Sequence, residues 1–150
     1  RMPPIRVTVD DETLLVPVDP GQIVGSVEHD QVEVEPYAGP TQRVRLLQIA
    51  WARSGDKGDS ANIGVIARSA EYVPVLRREL TPARVKDYFS HLVMGEVERF
   101  EVPGIGGFNF LMHRALDGGG MASLRNDPLG KGMAQLLLDI EIDVPADLLD

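Results

Sequence analysis

The sequence predicts an α+β fold: a mainly antiparallel sheet with helices on one face, preceded by a small β-rich arm. Three observations carry this expectation. Apolar residues alternate with period two near both ends of the chain, a capped pair of short helical stripes lies near the middle, and the strand-like segments come in runs instead of alternating strictly with helices.

At the start, Ile5, Val7 and Val9 alternate with Arg6, Thr8 and Asp10. Asp10-Asp11-Glu12 suits a turn, and Leu14, Val16 and Val18 resume the alternation. Pro20-Gly21 breaks the chain, and Val32 and Val34 alternate with Glu33 and Glu35 as a third candidate strand. The segment PYAGP, Pro36 to Pro40, reads as a linker, so a domain boundary is expected there, with an arm over 1–40 and the main domain over 41–150. So short an arm cannot build its own core, and it is expected to pack on the main domain or on another subunit.

From Val44 the pattern strengthens. VRLLQIAWA and IGVIA are apolar runs that predict two buried strands joined by the polar stretch between them. Val73, Leu76 and Leu80 fall on one helical face. Thr81-Pro82 then supplies a cap and a first-turn proline for a second helix with Val85, Phe89 and Leu92 as its stripe. EVERFEV, Glu96 to Val102, predicts a third strand after Gly95. GFNFLMHRAL, Gly107 to Leu116, spaces Phe108, Leu111, Met112 and Ala115 as a helix that Gly118-Gly119-Gly120 would end. In LLLDIEIDV, Leu138, Ile140, Ile142 and Val144 alternate with acids and predict a closing hairpin, although the leucine run also suits a helix. A ferredoxin-like sandwich is the simplest architecture for this order.

Composition narrows the function classes. With 43% hydrophobic and 25% charged residues the chain is built to fold, and with no cysteine it has no disulfide, thiol nucleophile or thiolate-held cluster. No apolar run approaches the roughly 20 residues of a membrane span, so a soluble cytoplasmic protein that binds no membrane is expected. The net charge is −8. Residues 1–40 hold two arginines against eight acids and residues 136–150 hold five acids and no base, which leaves 41–135 at +3. That balance opposes nucleic-acid binding and permits a local anion site.

Chemical groups concentrate in RSGDKGDSANIG, Arg53 to Gly64, which holds two carboxylates, a lysine, an arginine, two hydroxyls and an asparagine. It is not a P-loop, because Gly55-Asp56-Lys57-Gly58-Asp59 lacks the required spacing. GIGGFN, Gly104 to Asn109, matches the dinucleotide fingerprint only in its first half. Gly55 and Gly58 are able to take positive φ and gather backbone N–H groups round an anion, with Arg53 and Lys57 adding charge. Asp56 and Asp59 fit that picture only by orienting the cations, taking a proton or holding a divalent metal. The same residues also make an ordinary turn. His29, His91 and His113 lie on separate segments without metal-ligand spacing, so no metal and no cofactor is expected. His113 is expected as a boundary residue of the predicted helix, and no Ser-His-Asp set can be inferred from order alone.

The stretch ARSGDKGDSANIGVIAR, Ala52 to Arg68, resembles the signature of the AtuA-like ferredoxin-fold domain, found at the C-terminus of acyclic terpene utilisation AtuA family proteins and also as a stand-alone chain. The similarity continues through VKDYFSHLVMGEVERFEVPGIGGFNFLMHRAL and SLRNDPLGKGMAQLLLDIEI and covers about residues 44 to 142. The resemblance implies a role in the breakdown of acyclic terpenes or branched acyl-CoA thioesters, as an accessory or C-terminal domain. It carries over to Arg53, Gly55, Asp56, Lys57, Gly58, Asn62 and Gly64, and to Asn109 as a polar residue inside an apolar helix. The expected anion-binding set is therefore Arg53, Ser54, Gly55, Asp56, Lys57, Gly58, Asp59, Asn62 and Asn109, with Asp56 and Lys57 as the catalytic candidates. The ligand would be an acyl-CoA or small acid, held through a carboxylate or a CoA phosphate. One alternative is a non-catalytic assembly module with a structural loop, either homo-oligomeric or docked through its arm or sheet edge to a larger AtuA-type subunit, and a third is an independent hydrolase or transferase activity.

Overall fold

The computed structural model describes residues 5–10, 12–16, 37 and 39–149. The expected third strand of the arm, at Val32 and Val34, and the break at Pro20-Gly21 lie outside them. The chain divides into two compact units, residues 1–33 and 34–150. In the first, β1 (Ile5–Val9) and β2 (Glu12–Val16) form the antiparallel hairpin that the alternation predicts. Asp10 turns the chain at φ 52°, a left-handed value that aspartate tolerates better than most residues. The register places Val7, Val9, Leu14 and Val16 on one face, where all are exposed.

The second unit runs β3 (Thr41–Arg45), β4 (Ala50–Lys57), β5 (Ser60–Ala67), α1 (Val73–Glu79), α2 (Pro82–Tyr88), β6 (Val97–Val102), β7 (Gly107–Met112), α3 (Met133–Leu138) and β8 (Glu141–Pro145). Four strands form an antiparallel sheet in the order β4-β5-β7-β6, and β3 pairs antiparallel with β8 in a second sheet. The fold is thus α+β and ferredoxin-like, with antiparallel sheets and few helices, as expected. The helix pair also falls where predicted: the Thr81 hydroxyl caps α2 by accepting the Arg84 N–H at 3.1 Å, and Leu76, Leu80, Val85 and Phe89 are fully buried.

Four expectations are corrected. VRLLQIAWA is not one strand: its first residues end β3, a 3₁₀ turn at Leu46–Gln48 intervenes, and its last residues open β4 in the other sheet. The polar stretch 53–64 is not a loop but two paired strands, joined by a two-residue turn at Gly58-Asp59. GFNFLMHRAL is not a helix. Its first six residues are β7, an interior strand, because Phe108, Phe110 and Met112 alternate into the core, and that period outweighs the helical spacing of Phe108, Leu111, Met112 and Ala115. Gly118 to Gly120 therefore cap no helix. The C-terminal alternation forms no closing hairpin either; α3 takes the leucine run, and β8 crosses to pair with β3.

One side of the four-stranded sheet is the core face. Ala50 and Ser54 of β4, Ala61, Ile63 and Val65 of β5, and Phe108, Phe110 and Met112 of β7 are all buried there. Helix α3 packs on β4, α2 on β6 and α1 on β8, and the buried Ile142 and Val144 of β8 join the same core. At the β6 margin Arg99 donates to the carbonyls of Arg77 and Leu80 at 2.6 and 2.9 Å, closing the end of α1. Burial pushes its pKa down. The opposite side of the sheet carries no helix among the described residues. No helix among the described residues is long and apolar enough to cross a membrane.

Candidate functional site

Strand alternation sorts the predicted site residues onto two faces. Ser54 and Asp56 stand on the core side of β4, whereas Arg53, Gly55 and Lys57 point to the open side, joined there by Asn62 and Gly64 of β5 and Asn109 of β7. Gly58 and Asp59 make the turn between them. Gly58 has φ +68°, whereas Gly55 does not take positive φ, so the nest of N–H groups that both glycines were expected to build is not formed at Gly55.

Ser54 is 6% exposed and fully engaged: its hydroxyl donates to the Lys131 carbonyl at 3.1 Å and accepts the Ala134 N–H at 3.0 Å. It latches the start of α3 to β4. Ser54→Ala is expected to cost about 1–3 kcal/mol, because the Ala134 N–H is left without a partner in dry surroundings. Urea unfolding against the parent measures this, and an unchanged midpoint would contradict the latch. Asp59 is also tied down, its Oδ1 accepting the Gly118 N–H at 2.7 Å and its carbonyl accepting the N–H groups of Ala115 and Leu116. Lys57 is exposed, and its ammonium donates to the Asp56 carbonyl at 3.0 Å.

The open face has a regular plan. Reading across the sheet from β4 to β7, one row holds Lys57, Ser60 and His113, where His113 immediately follows β7. The next holds Gly55, Asn62 and Leu111, the third Arg53, Gly64 and Asn109, and the fourth Trp51, Ile66 and Gly107. The Asn62 amide donates to the Asn109 side-chain oxygen at 3.0 Å, so the two amides form one polar unit above the glycines. Asn109 was expected inside an apolar helix; it stands on a strand, with its side chain on the open face.

Sequence reasoning missed Lys131. It precedes α3, and Asp127 fixes that approach by accepting the N–H groups of Lys131 and Gly132, both at 2.8 Å. From the β4 edge its side chain reaches over the hairpin: a Cβ built on Gly55 would lie 3.2 Å from the Lys131 ammonium and 3.9 Å from Asn62 Oδ1. The only signal in the sequence was a Gly-Lys-Gly at 130–132 with an aspartate shortly before it. Among the described residues neither Lys131 nor Arg53 has an ion pair.

Beside these cations lies a groove of about 350 Å³, lined mostly by apolar side chains and including Trp51, Arg53, Gly64, Ile66, Ile105 and Asn109. Gly64 forms its floor, with nothing closer than the Arg53 carbonyl at 3.9 Å from where a Cβ would stand. Arg68 holds the wall in place, its guanidinium 4.7 Å from the centre of the Trp51 ring. An apolar slot with Arg53 in its wall and Lys131 one row away, neither ion-paired among the described residues, and with an amide pair beside it, suits an amphipathic anion.

Compared with known proteins, the chain matches one family model, the AtuA ferredoxin-like domain, over residues 44–143. No curated protein and no solved structure matches it.

Proposed function

The chain belongs to the AtuA ferredoxin-like domain family, and from that premise we propose that it is an accessory domain of acyclic terpene or branched acyl-CoA catabolism that binds an anionic ligand on the open face of its sheet. The observation that carries this is the pair Arg53 and Lys131. Two cations without acidic partners among the described residues stand over a floor of glycines, where no Cβ blocks a ligand from the backbone. Asn62 and Asn109 offer donors and acceptors beside them, and the groove takes the apolar part of the molecule. A carboxylate suits the arginine fork, and a CoA phosphate would use the same two charges.

Isothermal titration of the full chain with isovaleryl-CoA, isovalerate and inorganic phosphate tests the proposal. Arg53→Ala and Lys131→Ala are each expected to weaken binding about 10- to 100-fold, the worth of one charge-assisted hydrogen bond. Failure of the parent to bind any of the three, or binding by both variants as tight as the parent's, would sink it.

The assembly reading draws on a separate observation, the bare apolar face of the β1–β2 hairpin. Val9 and Leu14 are 59% and 60% exposed, and a two-stranded hairpin is marginal unless something covers it. The two readings concern different surfaces and are compatible.

A further inference from the structure

At the end of the open face away from the groove, three side chains stand in line. Ser60 Oγ lies 3.5 Å from His113 Nδ1, and His113 Nε2 lies 2.6 Å from Glu98 Oε1. The register explains the arrangement. Ser60 and His113 extend the β5–β7 ladder by one directly opposed pair, and Glu98, on β6, is the diagonal neighbour of His113 on the same face. With the Nε2–H donated to the carboxylate, Nδ1 holds the lone pair that accepts the serine proton. The nitrogen that carries the proton is set by the hydrogen bond the ring makes, so the contact to Glu98 selects the tautomer that leaves Nδ1 free to act as base. A serine–histidine contact at the long limit is also what an unliganded site shows before substrate tightens it. The His113 and Glu98 side chains are 41% and 48% exposed, so a ligand can reach the relay.

We propose that Ser60, His113 and Glu98 form a hydrolytic relay for an ester or thioester whose acyl part bears a free carboxylate and an apolar tail. The substrate class follows from the plan of the face and rests on the binding proposed above. Along β5, Ser60 is one same-face step, about 7 Å, from Asn62, and a second such step reaches Gly64. A tail in the groove and a carboxylate at Arg53 and Lys131 leave the acyl carbonyl one further step along, at Ser60. In the first half-reaction Ser60 Oγ bonds to the carbonyl carbon while its proton passes to His113 Nδ1. The carbon's bond to the leaving oxygen or sulfur then breaks, and that atom takes the proton from His113, leaving an acyl-serine. Water attacks this ester with His113 again as base, releasing the acid and restoring Ser60. Lys57 is directly opposite Ser60 in the hairpin, and its ammonium would have to turn from the Asp56 carbonyl to meet the developing oxyanion. Glu98 is a positioning residue that holds the tautomer.

The test uses the full chain with the mono-p-nitrophenyl ester of 3-butylglutaric acid as substrate and 3-butylglutarate as binding probe. The parent is expected to release p-nitrophenol and to form a covalent adduct with a fluorophosphonate, seen as an intact-mass shift. Ser60→Ala should lose the adduct, and both it and His113→Gln should lose at least about 100-fold in kcat, with the affinity for 3-butylglutarate kept as evidence of folding. Glu98→Gln should lower kcat with KM unchanged. A parent that cleaves the glutarate ester at least about tenfold faster than p-nitrophenyl hexanoate, with that preference lost in Arg53→Ala, would tie the relay to the carboxylate. Binding of 3-butylglutarate by the parent without hydrolysis, or hydrolysis that survives Ser60→Ala, overturns the relay and leaves the binding proposal standing. Ser60-dependent hydrolysis that ignores Arg53 and Lys131 keeps the relay and overturns the binding proposal and the substrate class.

Discussion

Replacing Gly119 with alanine is expected to destabilise the fold by about 3 kcal/mol or more. Gly119 takes φ +65°, and a Cβ there would stand 2.0 Å from the Gly58 carbonyl oxygen and 2.7 Å from its carbon. Both obstacles are backbone at the tip of the β4–β5 hairpin, so neither can swing aside as a long side chain would. The hairpin turn is held at this point by Asp59 and the Gly118 N–H as well, so pushing it away breaks more than one contact. Gly120→Ala is the internal control. It too has positive φ, at +51°, but nothing lies within 4 Å, so only the left-handed strain of roughly 1–2 kcal/mol applies. Denaturant unfolding of the two variants gives the difference directly. Equal losses would mean that the glycine segment does not pack on the hairpin.

Gly64→Val is expected to do the opposite: to leave stability within about 1 kcal/mol of the parent while lowering affinity for the ligand at least tenfold. The position is on an interior strand with ordinary φ, its open side is empty to 3.9 Å, and a β-branched residue suits a strand. The same isopropyl group fills the floor of the groove between Arg53 and Asn109. Paired unfolding and titration measurements separate the two effects. A valine variant that binds as the parent does would remove the groove from the site, and one that unfolds would mean that the open face is packed against something.

The parts of the fold that were legible in the sequence are those where a single period dominates. Ile5, Val7 and Val9 alternate cleanly, and Thr81-Pro82 announces a helix through cap chemistry that needs no tertiary partner. The 53–64 segment misled because its core-facing positions are small or polar, Ser54 and Asp56 among them, so the alternation that would mark β4 has no hydrophobic amplitude. Gly107 to Leu116 misled for the opposite reason. Phe108, Leu111, Met112 and Ala115 satisfy a helical stripe while Phe108, Phe110 and Met112 satisfy a strand, and the choice was made by pairing with β5 and β6, which are distant in sequence. The site shows the same divide. Arg53, Asn62 and Asn109 were visible as residues, but which side of a strand each occupies was not. Lys131 and the alignment of Ser60 with His113 and Glu98 depend wholly on register.

Ser54 and Lys131 are 77 residues apart in the chain, yet the serine latch is what delivers the lysine to the hairpin. The proposed ligand site would therefore exist only in molecules whose α3 approach is closed, which would make occupancy and folding two readings of one equilibrium. A ligand at 100 times its dissociation constant would add about 2.7 kcal/mol to the stability of the closed form. By the same linkage, a latch that is open part of the time weakens apparent affinity by the fraction closed, without any change in the contacts made to the ligand. The domain would report the concentration of its ligand through its own resistance to unfolding.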